Sequence, residues 1–261
     1  QAKAQGTTGI REVIVDDRVF ERTRVHPSWP KDQLNLWYCA PVSGLNFYTN
    51  CVEIYAARGS KAGSPPTWRT VPSASWLEVV NKARTVDDGQ TAIGAVRDGD
   101  STRFTLSGTV RATPDGPIEV TMGDPGLMFG RVLADRLAAA GLSASPGVAP
   151  SVRLAGEQDA FPRATAVASV ATDILTALSR CNVDSQNLYA ESLFKAAGHK
   201  VSGQPGSWSN GATVMRMVIN DRLGVDSGAL VVADGSGLSR DNRVSPLLMA
   251  NWLVYLARQP D

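Results

Sequence analysis

The stretch "NVDSQNLYAESLFKAAG", residues 182–198, decides how the chain is read. It opens on a polar cluster, Asp184-Ser185-Gln186-Asn187, continues with apolar residues and ends on a glycine. Asp, Ser and Asn favour the position just before a helix, because a side-chain oxygen there accepts a hydrogen bond from an unpaired first-turn N–H. Asp184 or Ser185 is therefore the expected cap. Ala190, Leu193, Phe194 and Ala197 recur at i, i+3, i+4 and i+7 and form the expected apolar face. Gly198 is the expected stop, since glycine tolerates the left-handed conformation that ends a helix. The cluster has a second reading. Ser185 and Asn187 make a Ser-x-Asn triplet, which would fix a hydroxyl and an amide on a rigid helix start. So short a triplet is common by chance, and its meaning depends on the rest of the chain.

The rest is ordinary globular sequence. Of 261 residues, 43% are hydrophobic and 20% charged, enough for one large domain or two smaller ones. A formal net charge of +1 with no long run of like charge offers no basic surface for nucleic acid or anionic lipid. No apolar run is long enough to span a bilayer. The N-terminus, "QAKAQGTTGIREVIVDD", has neither the apolar core of a signal peptide nor an initiating Met. A processed product or a piece of a longer protein is expected. Cys39, Cys51 and Cys181 lack zinc-ligand spacing. Cys39 and Cys51 flank "APVSGLNFYTN" and either bridge a hairpin or stand as two half-buried strand thiols.

Residues 1–160 read as strand-rich. "IREVIVDD" is a strand running into a turn, and its Asp16-Asp17 pair reads as solvated turn rather than a general acid/base pair. "LNFYTNCVEIYAA" is a long strand. "TAIGAVRDGDSTRFTLSGTVRA" holds two or three strands about an Asp-Gly-Asp turn, and "GPIEVTM" another. "DPGLMFGRVLADRLAAAGL" has helical period, with Pro near its start and Gly141 at its end. "SASPGVAPSVRLAGEQDAFPRA" reads as an exposed linker. Residues 161–261 turn helical in "VATDILTALSRC", "SQNLYAESLFKAA", "SNGATVMRMVINDRL" and "SPLLMANWLVYLARQ", with a buried strand "ALVVADGSG" before the last.

In penicillin-recognising serine enzymes three elements share the chemistry: Ser-x-x-Lys, Ser-x-Asn and Lys-Thr-Gly. "NVDSQNLYAESLFKAAG", "DGSGLSRDNRVSP" (234–246), "IVDDRVF" (14–20) and "YCAPVSGLNFYTN" (38–50) occur here in family order. Together they resemble the class C penicillin-binding proteins, the D-alanyl-D-alanine carboxypeptidase/endopeptidase family. The resemblance covers nearly the whole chain. It implies an α/β fold, a portion of a serine β-lactamase/transpeptidase-like domain with a strand-rich inserted region. It implies a peptidoglycan peptide ending in D-Ala-D-Ala as substrate, β-lactams as ligands, no metal or organic cofactor, and a periplasmic or extracellular location. By position, Ser185 matches the motif serine that relays a proton and Asn187 the asparagine that orients lysine and substrate.

The other two elements do not fall where the resemblance places them. One Ser-x-x-Lys spacing is Ser192-Leu-Phe-Lys195, on the same helix as Ser185 and roughly 10 Å further along it. It reads as an accidental surface spacing. No Lys-Thr-Gly occurs, and "KVSG" at Lys200 has one residue too many. His26 and His199 accompany no G-x-S-x-G elbow and read as surface or helix-end residues. "GSGLS" lacks dinucleotide-binding spacing, so Gly235 and Gly237 read as turn glycines that let backbone pass a neighbour closely. Trp29, Trp37, Trp68 and Trp76 read as packing residues, with a carbohydrate-facing surface as the other use. Two readings follow. In one, this is the central portion of the enzyme, inactive and poorly stable alone, with its nucleophile on polypeptide outside these residues. In the alternative, it is a non-catalytic relative that binds peptidoglycan or a partner.

Overall fold

The computed structural model of the protein describes residue 6, residues 8–224 and residues 230–259. The chain forms two compact units. One comprises Gln1–Asp17, Leu34–Pro41 and Leu45–Ala171, the other Arg18–Gln33, Val42–Gly44 and Thr172–Asp261.

The first unit is strand-rich. Its strands are β1 (Glu12–Val15), β2 (Cys51–Ala57), β3 (Thr67–Val71), β4 (Glu78–Asn81), β5 (Arg84–Thr85), β6 (Ala92–Arg97), β7 (Arg103–Val110) and β8 (Ile118–Thr121). They are followed by α1 (Pro125–Ala139) and β9 (Ser151–Leu154). The antiparallel sheet β3-β2-β8 and a four-stranded sheet centred on β7 share one core. Alternation explains it: Val52, Ile54 and Ala56 on β2 and Phe104 and Leu106 on β7 point inward, meeting Val120 and Met122. Apart from Ala56, each such side chain contributes about 1.5–3 kcal/mol by leaving water. Parallel strands β1 and β9 carry α1, whose Ala134 packs with Val13 and Val15. Asp124 caps α1 by accepting from the Leu127 N–H at 3.0 Å, with Pro125 in the first turn as expected.

Four expectations fail here. The strand predicted over 45–57 begins only at Cys51, because Tyr48, Thr49 and Asn50 turn left-handed at φ 49°, 48° and 55°. The buried Asn50 holds that turn, donating to the Pro41 carbonyl at 2.7 Å and accepting from the Phe47 N–H at 3.0 Å. The predicted linker contains β9, whose pairing with β1 satisfies its backbone. Asp17 is buried, with its carboxylate near Gly126 at the N-terminus of α1, where negative charge is favoured. All three cysteines are free. Cys39 and Cys51 are both fully buried, but Cys39 lies in a short 3-10 turn rather than a strand. Burial, reinforced by Glu119 and Glu53, pushes the Cys51 thiol up to about 12.

The second unit is built on α2 (Ile174–Asn182), α3 (Asn187–Ser202), α4 (Trp208–Leu223) and α5 (Pro246–Ala257). Gly198 does not end α3. The helix runs to Ser202 and stops at Gly203, whose φ is 68°. Gly198 instead serves the crossing with α4, since any side chain there would collide with Asn210 and lie 2.7 Å from the Gly211 nitrogen. Ser207 and Asn210 form a reciprocal capping box that starts α4. Residues 19–21 run along the α3–α4 link, exchanging backbone hydrogen bonds with Gly206. Of the strand predicted over 229–237, Ala229 lies outside the described residues. From Leu230 onward Val231 bridges Arg243, the one bridge of this segment among the described residues, before Asp234 gathers the chain into a turn. No helix among the described residues is long and apolar enough to cross a membrane.

Candidate active site

Asp173 starts α2 by accepting from the Thr176 N–H at 2.9 Å. The helix ends at Asn182, and the chain reverses towards α3 within four residues. Ser185 makes the reversal possible with φ of 54°, left-handed for a residue that carries a Cβ. Such a conformation costs on the order of 1–3 kcal/mol and persists only where its surroundings impose it. Here Gln186 donates its N–H to the Arg180 carbonyl at 3.1 Å, and Arg180 pairs with Asp184 at 2.7 Å. Neither Asp184 nor Ser185 is the cap. Gln186 holds that position without a side-chain bond, because the left-handed turn has already displaced the two residues before it. Asn187 is the first residue of α3, half-buried, while Ser185 is exposed. Ser185 thus sits on a strained turn and Asn187 two residues on, at the positive end of a sixteen-residue helix.

Of the expected apolar face of α3, only Phe194 is buried. Leu188, Glu191, Phe194, Lys195 and Gly198 face inward. Ala190, Leu193 and Ala197 line an apolar cavity of about 340 Å³ together with Cys181, Val214 and Trp252. A second cavity of about 380 Å³ lies between Met215, Ile219, Val231, Leu248, Trp252 and the 234–237 turn. Ser185 and Asn187 line neither.

Two charged residues on that buried face were misread or missed from sequence. Lys195, expected at the surface, is completely buried. Its ammonium donates to the Thr23 carbonyl at 2.9 Å, lies 3.5 Å from a Glu21 carboxylate oxygen and stands 3.5 Å from the centre of the Trp208 ring. Burial lowers it to about 8 against the opposing pull of Glu21. Its Nζ is thus engaged by Thr23, Glu21 and Trp208.

Glu191 is also fully buried. One carboxylate oxygen accepts the Ser236 N–H at 2.8 Å, the other the Trp208 indole N–H at 2.8 Å, and the Gly235 N–H lies 3.1 Å from both. Desolvation raises its pKa, against these hydrogen bonds. Asp234, next to Gly235, is its counterpart. It accepts from the Trp29 indole at 2.9 Å, the Ser239 N–H at 2.6 Å, the Gly237 N–H at 2.9 Å and the Asn242 amide at 2.7 Å. The two indoles meet edge to face, with centroids 6.0 Å apart. Gly235 is the close approach expected of it, since a Cβ there would lie 2.6 Å from Phe194 Cβ. A signal for Glu191 and Lys195 was present in sequence: they lie four residues apart, in line with Asn187, on the face that also carries Leu188 and Phe194. No group of three or more His, Cys, Asp or Glu among the described residues is placed to hold a metal.

Similarity to known proteins follows the same lines. The chain is 27% identical over 256 residues to the D-alanyl-D-alanine carboxypeptidase of Actinomadura sp. strain R39, covering 94% of this chain and 46% of that protein. Over 77 residues it is 36% identical to the D-alanyl-D-alanine carboxypeptidase DacB of Haemophilus influenzae, 30% of this chain and 16% of that one. The crystal structure of penicillin binding protein 4 (dacB) from H. influenzae superposes over 98% of this chain and 56% of its own, with a TM-score of 0.73 at 20% identity. The same protein complexed with a β-lactam superposes with a TM-score of 0.69. The chain therefore spans about half the length of the proteins it matches end to end, and the structural likeness bears out the expected α/β, transpeptidase-like fold. The sequence model of the D-Ala-D-Ala carboxypeptidase 3 (S13) family matches residues 1–261 in full, and the chain belongs to that family.

Proposed function

We propose that this chain is the central portion of a serine D-alanyl-D-alanine carboxypeptidase/endopeptidase acting on peptidoglycan peptides in the periplasm or outside the cell. Residues 161–261 are part of its catalytic domain and residues 1–160 its strand-rich inserted region. The observation that carries the reading is the Ser185-x-Asn187 pair on a strained left-handed turn at the head of α3, in a chain that matches the family throughout.

The chemistry is acyl transfer. A serine hydroxyl on polypeptide outside residues 1–261 attacks the carbonyl of the penultimate D-Ala. The peptide bond breaks and terminal D-Ala leaves as a free amine. Water then releases the acyl group and restores the serine. Expulsion of an amine requires a proton, and Ser185 hands it on from the catalytic lysine to the leaving nitrogen. Asn187 holds that lysine and the substrate amide. A β-lactam enters the same path, but its ring amine stays tethered after the bond breaks.

A fluorescent penicillin tests this. Residues 1–261 alone should take up no covalent label, whereas a longer protein that supplies the upstream and downstream elements should be labelled. The exposure of Ser185 favours the second reading of a non-catalytic relative that binds peptidoglycan or a partner. A longer protein that stays unlabelled yet binds peptidoglycan would establish it.

A further inference from the structure

Glu191 does more than fill space between α3 and its neighbours. An apolar side chain could pack there, as Phe194 does against Gly235 one turn further on. A buried carboxylate costs desolvation, and the N–H donors here offset that cost only in part. What it adds is direction. The Ser236 N–H reaches one oxygen, the Trp208 indole reaches the other, and the Gly235 N–H is shared between the two. Donors from two separate segments, the turn and α4, then fix how far α3 is rotated about its own axis. Asn187 lies four residues earlier on the same face, about 6 Å along the axis, so the rotation fixed at Glu191 is the rotation that aims Asn187. The latch is itself held from beyond: Lys195 caps the face of the same Trp208 ring, and Asp234 fixes the turn through Trp29 and Asn242.

We infer that Glu191 is a positioning residue for the Ser185–Asn187 pair, its carboxylate setting the rotation of α3 against the 234–239 turn and α4. This rests on the function proposed above. Glu191→Gln keeps the shape but points an NH2 group at donors that need an acceptor, so either the turn or the indole is released.

The test uses the full-length protein and a fluorescent penicillin, with pre-covalent binding and the acylation rate constant resolved separately. Glu191→Gln should slow acylation at least tenfold while changing the binding constant less than threefold. In Asn187→Ala it should slow acylation by no more than about twofold further, because the group it aims is gone. That non-additivity separates positioning from loss of structure. Trp208→Phe removes the indole donor alone and should slow acylation about threefold; it decides the matter should Glu191→Gln not fold. Acylation within twofold of the parent in the folded variants, or losses that simply multiply with Asn187→Ala, would overturn the inference. A parent that is never acylated overturns the proposed function first, and this inference with it.

Discussion

The two units bury different chemistry. In the strand-rich unit, strands from two sheets press Val52, Ile54, Phe104, Leu106 and Val120 together, and Asp17 is the one buried charged residue among those described. In the helical unit, Glu191, Lys195 and Asp234 are buried side by side with two tryptophans that donate to the carboxylates. An apolar core tolerates some repacking, because dispersion and desolvation are non-directional. A core of charged hydrogen bonds does not, because each partner fixes an angle as well as a distance. The unit that carries Ser185 and Asn187 is the one built for direction.

This contrast can be broken or sharpened by experiment. The largest stability effect should follow Phe104→Ala, which empties the strand-rich core and should cost about 3–5 kcal/mol in urea unfolding. Gly198→Ala should come next, at about 1–3 kcal/mol, by forcing α3 off Asn210 and α4; no loss would show that the helices do not cross this tightly.

Alkaline pH should separate the units by sign. Lys195 has its pKa depressed from 10.5 to about 8, so between those values the unfolded chain holds more protons and Lys195 makes stability rise with pH. Lys195→Met should remove that rise. Cys51 has its thiol raised from 9.0 to about 12, so its contribution is complete below pH 9 and is lost as pH climbs towards 12. Cys51→Ala should flatten that loss. Slopes of the same sign for both residues would contradict the assignment of burial as the cause. The smallest effects belong to the caps: Asp124→Ala on α1 and Asp173→Ala on α2 should each cost about 1 kcal/mol in thermal unfolding.

How much of this was legible in sequence depended on whether a residue served one purpose or two. β6, β7 and β8 could be read from alternation, and α1, α2, α4 and α5 from helical period, because those patterns are local and repeat within one element. Gly198 misled because glycine serves both as a helix stop and as a point of close approach, and only the neighbouring helix decides which. Tyr48-Thr49-Asn50 looked like strand because nothing local shows that Asn50 will be buried and will hold a left-handed turn. The buried face of α3 was misplaced because charged residues are ordinarily exposed, whereas Glu191 and Lys195 find their partners in segments up to 172 residues away. Ser185 and Asn187 could be picked out by their order among the other family segments, but the strain at Ser185 could not, since φ is not written in residue type.

The central claim is that Ser185 passes a proton during acylation on a serine that residues 1–261 do not contain. The rate of covalent penicillin capture by the full-length protein, compared between parent and Ser185→Ala with the labelled peptide identified, tests it most directly. At least a hundredfold slower capture is expected in the variant, with the label in the parent on a peptide outside residues 1–261. Capture at the parental rate in Ser185→Ala, or label found on Ser192, would contradict it.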